Sequence, residues 1–257
     1  MKSQNLDALS RIVDLDKIEA TKNSINEANG LPNECYLNDE YFKIEREKVF
    51  FNNWIVVGVS SSVPEVGDAK PFNLMGIPLL ILRDKNNKIK VFHNVCSHRG
   101  MILVKEECKL KNTIRCPYHS WSYNFNGELI ATPHVGGMNI HETEGFIKSK
   151  SNLKEISTHV WMDLIFINVN KNKKDFEGSI DPLEKQWSKF ISKEDQKLIR
   201  HARDFGYFNM QVKSNWKLAI ENYCESYHLP WVHPELNRVS NLKDHYHIED
   251  LAETFSG

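Results

Sequence analysis

Four residues near the middle of the chain have the types and spacing of a metal site. Cys96-Ser97-His98 is followed, 17 residues on, by Cys116-Pro117-Tyr118-His119. Each half offers one thiolate and one imidazole, so a Cys-x-His loop and a Cys-x-x-His loop can clamp a metal group from two sides. Two chemistries use this donor set. Two thiolates and two imidazoles make a tetrahedral zinc site. They also hold an iron–sulfur cluster in which two histidines replace two cysteines on one iron, which raises its reduction potential. Gly100, just after the first pair, permits a backbone turn close to the bound group, and Pro117 stiffens the second loop. Cys108 lies between the halves but outside the pattern and reads as a packing or surface residue.

A second group lies in residues 215–234, NWKLAIENYCESYHLPWVHP. Trp216–His228 has good helix formers, and Pro230 limits its continuation. On that helix Glu225 and His228, three apart, share one face. His233 follows five residues after His228, and a bend at Pro230 could bring the two imidazoles together. Two histidines and a carboxylate form the facial triad of non-haem Fe(II) oxygenases. The histidine pair alone is a weak signal, which core or surface histidines would also produce.

The elements that must position these groups change character along the chain. Residues 1–38 read as weakly structured, with a short helix near Leu6–Ile18. Tyr41–Phe51 has helical spacing. From about 52 to 135 the pattern is of short strands and tight turns: Trp54–Val59, Ile77–Arg83, Lys88–His93, Thr113–Cys116 and Ser120–Phe125, with Gly67–Asp68, Asp84–Asn87 and Asn126–Gly127 as turns. That is an all-β module. Beyond Gly145 strands and helices mix. His159–Val169 reads as one strand. Asp181–Pro182 reads as the cap and first residue of a helix running to about Phe190, and Phe205–Val212 as a strand.

The chain has 257 residues, 40% hydrophobic and 26% charged, with a formal charge of −1. That suits one large or two ordinary globular domains. It gives no net field towards nucleic acid or an anionic membrane. The N-terminal MKSQNLDALSRIVDLDKIEA lacks an apolar secretory core, and no apolar run approaches the roughly 18–20 residues of a membrane span. A cytoplasmic protein without nucleic-acid or membrane partners is expected. Five cysteines (Cys35, Cys96, Cys108, Cys116, Cys224), an odd count, argue against a disulfide framework. The Lys171–Lys174 run reads as a solvated loop.

The flanks of the first group narrow the choice. Residues 94–100, NVCSHRG, and 116–129, CPYHSWSYNFNGEL, resemble the Rieske domain of ring-hydroxylating oxygenases, whose second segment typically reads CPYH-G-W-x-Y. Ser120 stands where glycine is usual. The resemblance favours a [2Fe–2S] cluster on Cys96, His98, Cys116 and His119 over zinc. Residues 215–234 are similar to the catalytic-domain signature of Rieske non-haem iron oxygenase α subunits. This implies that His228 and His233 bind a mononuclear Fe(2+). It makes Glu225 the bridging acid that links a ligand histidine of one subunit to a cluster histidine of its neighbour. Glutamate rather than aspartate at 225 looks more like the branch acting on quaternary ammonium compounds such as choline, glycine betaine or carnitine.

The resemblance covers roughly residues 40–257. It implies an α+β fold: a Rieske [2Fe–2S] domain (39–150) after an N-terminal segment (1–38), then the start of a helix-grip (START-like) catalytic domain (151–257). It further implies a terminal oxygenase, a homotrimer that takes electrons from NAD(P)H through a flavin-containing reductase, directly or by way of a ferredoxin. With O2 it would hydroxylate, dihydroxylate or dealkylate a small organic substrate. The family's third iron ligand is a carboxylate from far downstream. Glu249, Asp250 and Glu253 match no motif, so the chain as written is expected to lack that ligand and to be weakly active or inactive. His245 and His247 are read as surface or core residues, and Tyr227 and Trp231 as core packing. Two competing classes remain: a Rieske-type electron carrier, which would end near residue 150 and needs no histidine pair, and a colourless zinc-binding module.

Overall fold

The structure is a computed structural model, and it describes residues 9–24, 26–170, 175–202 and 210–246. The chain divides into two compact units, Phe50–Tyr207 and a second composed of Met1–Val49 with Phe208–Gly257. The second unit begins with helices α1 (Leu15–Glu19), α2 (Glu34–Leu37) and α3 (Asp39–Glu45), continued by a π-helical turn over Arg46–Phe50. Asn38 caps α3 by accepting from the backbone N–H groups of Glu40 and Tyr41.

Among its described residues the Phe50–Tyr207 unit holds ten strands: β1 (Ile55–Val59), β2 (Asp68–Leu74), β3 (Ile77–Arg83), β4 (Ile89–His93), β5 (Cys108–Lys109), β6 (Ile114–Arg115), β7 (Ser122–Tyr123), β8 (Leu129–Ala131), β9 (Glu155–Trp161) and β10 (Leu164–Asn168). They form a seven-stranded sheet in the order β1-β10-β9-β4-β3-β2-β5 and a three-stranded sheet β6-β7-β8. These strands pair antiparallel throughout.

The apolar run of β3 explains the layering. Its side chains alternate across the sheet, so Leu79 and Ile81 join one core with Val63, Val91, Ile156, Ile165 and Ile167. Leu80 and Leu82 join the other with Phe92, Cys96, Cys116, Trp121 and Tyr123. A strand buried on both faces reads as a continuous hydrophobic run rather than an alternating one. The second core is the floor of the cysteine and histidine loops.

Three expectations change here. His159–Val169 is not one strand: Met162 and Asp163 both take positive φ, 49° and 68°, and the chain folds back as the β9–β10 hairpin. Two consecutive left-handed residues match a type I′ turn, normally signalled by Asn-Gly, and Met-Asp carries no such signal. Next, the sheet does not stop near residue 150. Val91 pairs with Ile156, and Phe92 with Glu155, so the hairpin belongs to the same sheet and buries Ile156, Ile165 and Ile167 in its core.

Finally, the helix expected from Asp181 begins five residues earlier. Helix α4 (Phe176–Trp187) is capped by Asp175, whose side chain accepts from the Gly178 N–H, and contains Pro182 in its interior. Phe176 fixes the start, because its ring packs on Trp54 and Phe166, each 5.1 Å away, and stacks on His159 at 3.8 Å. A short helix α5 (Lys193–Gln196) follows.

The second unit resumes with α6 (Trp216–Cys224), α7 (Leu229–Val232) and α8 (Pro234–Val239). Of the strand expected over Phe205–Val212, the residues up to 209 lie outside those described, and Met210–Val212 are not in a strand. His247, Glu249, Asp250, Glu253 and Lys171–Lys174 also lie outside them. No described helix is long and apolar enough to cross a membrane.

Candidate functional site

The first site is built by two loops with the same backbone plan. The Cys96 N–H donates to the Met101 carbonyl at 2.8 Å, and the Gly100 N–H returns to the Cys96 carbonyl at 2.9 Å. In the second loop the Cys116 N–H donates to Trp121 at 2.8 Å, and the Ser120 N–H to Cys116 at 3.1 Å. Each turn closes through a left-handed residue four positions after its cysteine, Gly100 at φ 68° and Ser120 at φ 57°. A left-handed backbone is costly for a residue with a Cβ, which explains why glycine suits position 120. Ser120 is held there by Arg115, whose guanidinium donates to its hydroxyl at 2.9 Å.

The loops bring all four expected donors together. Cys96 and Cys116 are each 2% exposed, and Cys116 is close enough to raise the Cys96 thiol. The His98 and His119 rings lie 4.8 Å apart, and His98 stacks on Trp121 at 4.6 Å. The donors thus fall into a thiol pair and an imidazole pair. Among the described residues, no three His, Cys, Asp or Glu side chains converge on a point that one ion could occupy. A tetrahedral zinc ion needs four donors around one centre. A two-iron cluster needs a thiolate pair for one iron and an imidazole pair for the other. The buried Nδ1 of His119 has no hydrogen-bond partner, which suits a ligand atom.

The electrostatics agree with a metal-binding role. Burial pushes the Cys96 thiol up, and Cys116 adds to this, while hydrogen bonds from the Tyr123 hydroxyl and the His98 amide work against it. Without metal the thiol therefore stays protonated, and loading must release a proton. Burial, the neighbouring His119 and Arg99 all lower His98, keeping its imidazole neutral as a ligand must be. Tyr123, fully buried, touches Cys96 Sγ at 3.2 Å. Sequence reading quoted Trp121 and Tyr123 only as flanking letters; the structure makes one a platform for His98 and the other a partner of the thiol.

The second site differs from the helical arrangement expected. Helix α6 ends at Cys224, and Glu225 is extended at φ −111°, ψ 151°. Its carboxylate turns back instead: one oxygen accepts from the His228 N–H at 3.3 Å, and the other makes a short contact with His228 Nδ1. Glu225 and His228 meet through a turn, not through a shared helix face. With Nδ1 engaged, Nε2 is the His228 nitrogen left for a metal. The His228 and His233 rings lie 5.3 Å apart at 75°, on either side of α7, whose single helical turn carries Pro230 near its start in place of the bend expected there. Tyr227 and Trp231, expected in the core, are 72% and 85% exposed, because no described residue packs over that face.

Helix α6, which leads into these residues, is anchored at its start by contacts without a local sequence signal. Lys217 and Glu45, both buried, pair at 2.7 Å. The second Glu45 oxygen accepts from the Trp216 indole N–H at 3.1 Å. The Lys217 ammonium also lies over the rings of Tyr36, Tyr41 and Trp216 at 5.2–5.5 Å. Partners 172 residues apart leave no local signal.

A curled antiparallel sheet with two Cys/His loops that segregate thiols from imidazoles defines a Rieske-type [2Fe–2S] domain. Comparison with known proteins agrees. Residues 53–144 match the Rieske [2Fe-2S] domain family, and residues 199–257 match the ring hydroxylating alpha subunit (catalytic domain) family. The chain is 29% identical over 222 residues to the carnitine monooxygenase oxygenase subunit of Escherichia coli (strain K12), covering 86% of this chain and 56% of that protein. It is 27% identical over 216 residues to the corresponding subunit of Acinetobacter pittii (strain PHEA-2), covering 84% and 56%. A crystal structure of a quaternary ammonium Rieske monooxygenase in complex with L-carnitine superposes with a TM-score of 0.71 at 26% identity, over 83% of this chain and 58% of that one. The two matched domains are, in this order, those of Rieske non-haem iron oxygenase α subunits, and these relatives are quaternary-ammonium monooxygenases. The chain spans a little over half the length of these curated relatives.

Proposed function

We propose that the chain serves in a terminal oxygenase that oxidises a small quaternary ammonium compound with O2. It would take electrons through a flavin-containing reductase and a ferredoxin from NAD(P)H. The observation that carries this reading is the pairing of two sites in one chain: a thiol pair with an imidazole pair on the two loops, and a carboxylate-oriented histidine pair at 228 and 233. A pure electron carrier has no use for the second. The [2Fe–2S] cluster supplies one-electron transfer, and a mononuclear Fe(2+) supplies reduction of O2 against the substrate.

The chain's own residues do the rest. Cys96, Cys116, His98 and His119 hold the cluster, and Trp121 fixes the plane of His98. His228 and His233 offer two ligand nitrogens, and Glu225 engages His228 Nδ1, which leaves Nε2 for a metal. A carboxylate on a ligand imidazole raises its basicity and fixes its tautomer. In a homotrimer the same carboxylate would face a cluster histidine of the neighbouring copy and serve as the electron bridge. The quaternary-ammonium substrate class rests on the carnitine-oxidising relatives and on Glu225 in place of aspartate.

The test is EPR of the dithionite-reduced protein with iron and sulfide analysis, followed by O2 uptake with a reductase and choline, glycine betaine or carnitine. A rhombic signal with two sulfides per chain is expected of this chain, and substrate-dependent uptake abolished by His228→Ala of a version extended to the relatives' length. Zinc without sulfide would overturn the cluster. A loaded cluster with substrate-independent O2 uptake, or with uptake unaffected in His228→Ala, would overturn the oxygenase.

A further inference from the structure

We propose that Ser97 is a positioning residue for the cluster. Its hydroxyl competes with the Cys96 thiolate for the single proton of Tyr123 and so holds the reduction potential of the centre down. This rests on Cys96 and Cys116 holding a [2Fe–2S] cluster.

The inference comes from counting hydrogens. Ser97 Oγ lies 2.6 Å from the Ser151 carbonyl, which can only accept, so the one Ser97 hydroxyl proton is committed there. The Ser97 backbone N–H donates to the Tyr123 oxygen at 3.2 Å. The Tyr123 hydroxyl therefore has one proton and two acceptors in reach, Cys96 Sγ at 3.2 Å and Ser97 Oγ at 2.9 Å. Tyr123 is 0% exposed, so solvent does not compete, and Ser97 is the rival that the structure shows.

The direction follows from charge. A hydrogen bond donated to a cluster sulfur favours the reduced, more negative state and raises the potential. A proton shared with Ser97 gives the sulfur only part of that bond. The Ser151 carbonyl, at the end of the turn over Lys148–Ser151, fixes Ser97 in the accepting role. Reduction adds negative charge at the sulfur and draws the proton back, since ionised acceptors bind more strongly. The centre thus carries a hydrogen bond whose direction depends on its oxidation state.

The measurement is a potentiometric titration of the loaded protein, followed by EPR, with sulfide content determined on each variant. A net hydrogen bond is worth about a threefold to tenfold change in an equilibrium. Ser97→Ala is expected to raise the reduced-to-oxidised ratio at fixed potential by roughly that factor. Ser97→Val, which fills the space against water, should do the same, and Ser97→Thr should restore the original value. Tyr123→Phe should lower the ratio, and adding Ser97→Ala to it should change nothing further. A ratio unchanged or lowered in both Ser97→Ala and Ser97→Val, or an equal rise in the Tyr123→Phe background, would overturn the proposal. Absence of sulfide in the unaltered protein would instead overturn the cluster reading beneath it.

Discussion

Glu45→Gln isolates a buried charge with almost no change of shape. Glu45 and Lys217 are 7% and 8% exposed, and their side chains meet at 2.7 Å. Removing one partner of such a pair costs about 3–5 kcal/mol, because the other charge stays buried and unpaired. Two features reduce that figure. The glutamine oxygen still accepts, and the rings of Tyr36, Tyr41 and Trp216 still face the ammonium, a cation–π contact being worth about 0.5 kcal/mol when exposed and up to about 2 kcal/mol when desolvated. Tyr36 remains a neutral donor, since burial and its hydrogen bond to Glu221 push its phenol up to about 12. The net expectation is a loss of about 2–4 kcal/mol, or about 30- to 1,000-fold faster local opening at 1.36 kcal/mol per decade.

Hydrogen exchange of the amides in α3 and α6, read by mass spectrometry against those of β3, reports that opening directly. The double variant with Lys217→Met replaces the pair by neutral groups of similar volume and should recover most of the loss. Exchange within twofold of the parent in Glu45→Gln, or a double variant no better than the single, would refute the reasoning.

Two further outcomes follow from the Phe50–Tyr207 unit. Ser120→Gly removes a left-handed serine at a cost relief of about 1 kcal/mol, partly offset by the lost Arg115 contact and by glycine's freer unfolded chain. A net gain of about 0.5 kcal/mol in thermal unfolding is expected, and a loss of stability contradicts the strain assignment. Burial raises the Asp163 carboxyl, but hydrogen bonds from His201 and Ser61 outweigh it and hold the group below its ordinary range. A depressed folded pKa means that its stabilisation is complete above the unfolded value of about 3.9 and is lost as pH falls through the folded one. Urea midpoints should drop below about pH 4, and Asp163→Asn should flatten that limb while costing about 2–3 kcal/mol at neutral pH.

What the sequence disclosed depends on how local the cause is. The meeting of the four donors was legible because each Cys/His pair sits in one short loop, and strands β3 and β4 because apolar runs between turn residues mark themselves. The β9–β10 turn was hidden because Met162 and Asp163 are unusual left-handed residues, forced by a sheet whose hydrophobic pattern continues on both sides. Asp181–Pro182 looked like a helix start, yet Phe176 sets the real one through rings from distant strands. The end of α6 at Cys224 has no glycine or proline to announce it. The exposure of Tyr227 and Trp231 is a property of their surroundings, which no local pattern encodes.

The matching bonds that close the two ligand loops bear on the order of events in the life of the protein. Each cysteine is held by backbone contacts within five residues of itself, and both sit in a core that carries its own apolar weight. The receptacle can therefore be finished before its contents arrive, unlike a zinc finger, which is unfolded until metal binds. Iron and sulfide would then be delivered late, to a folded acceptor, and reloading would need no refolding.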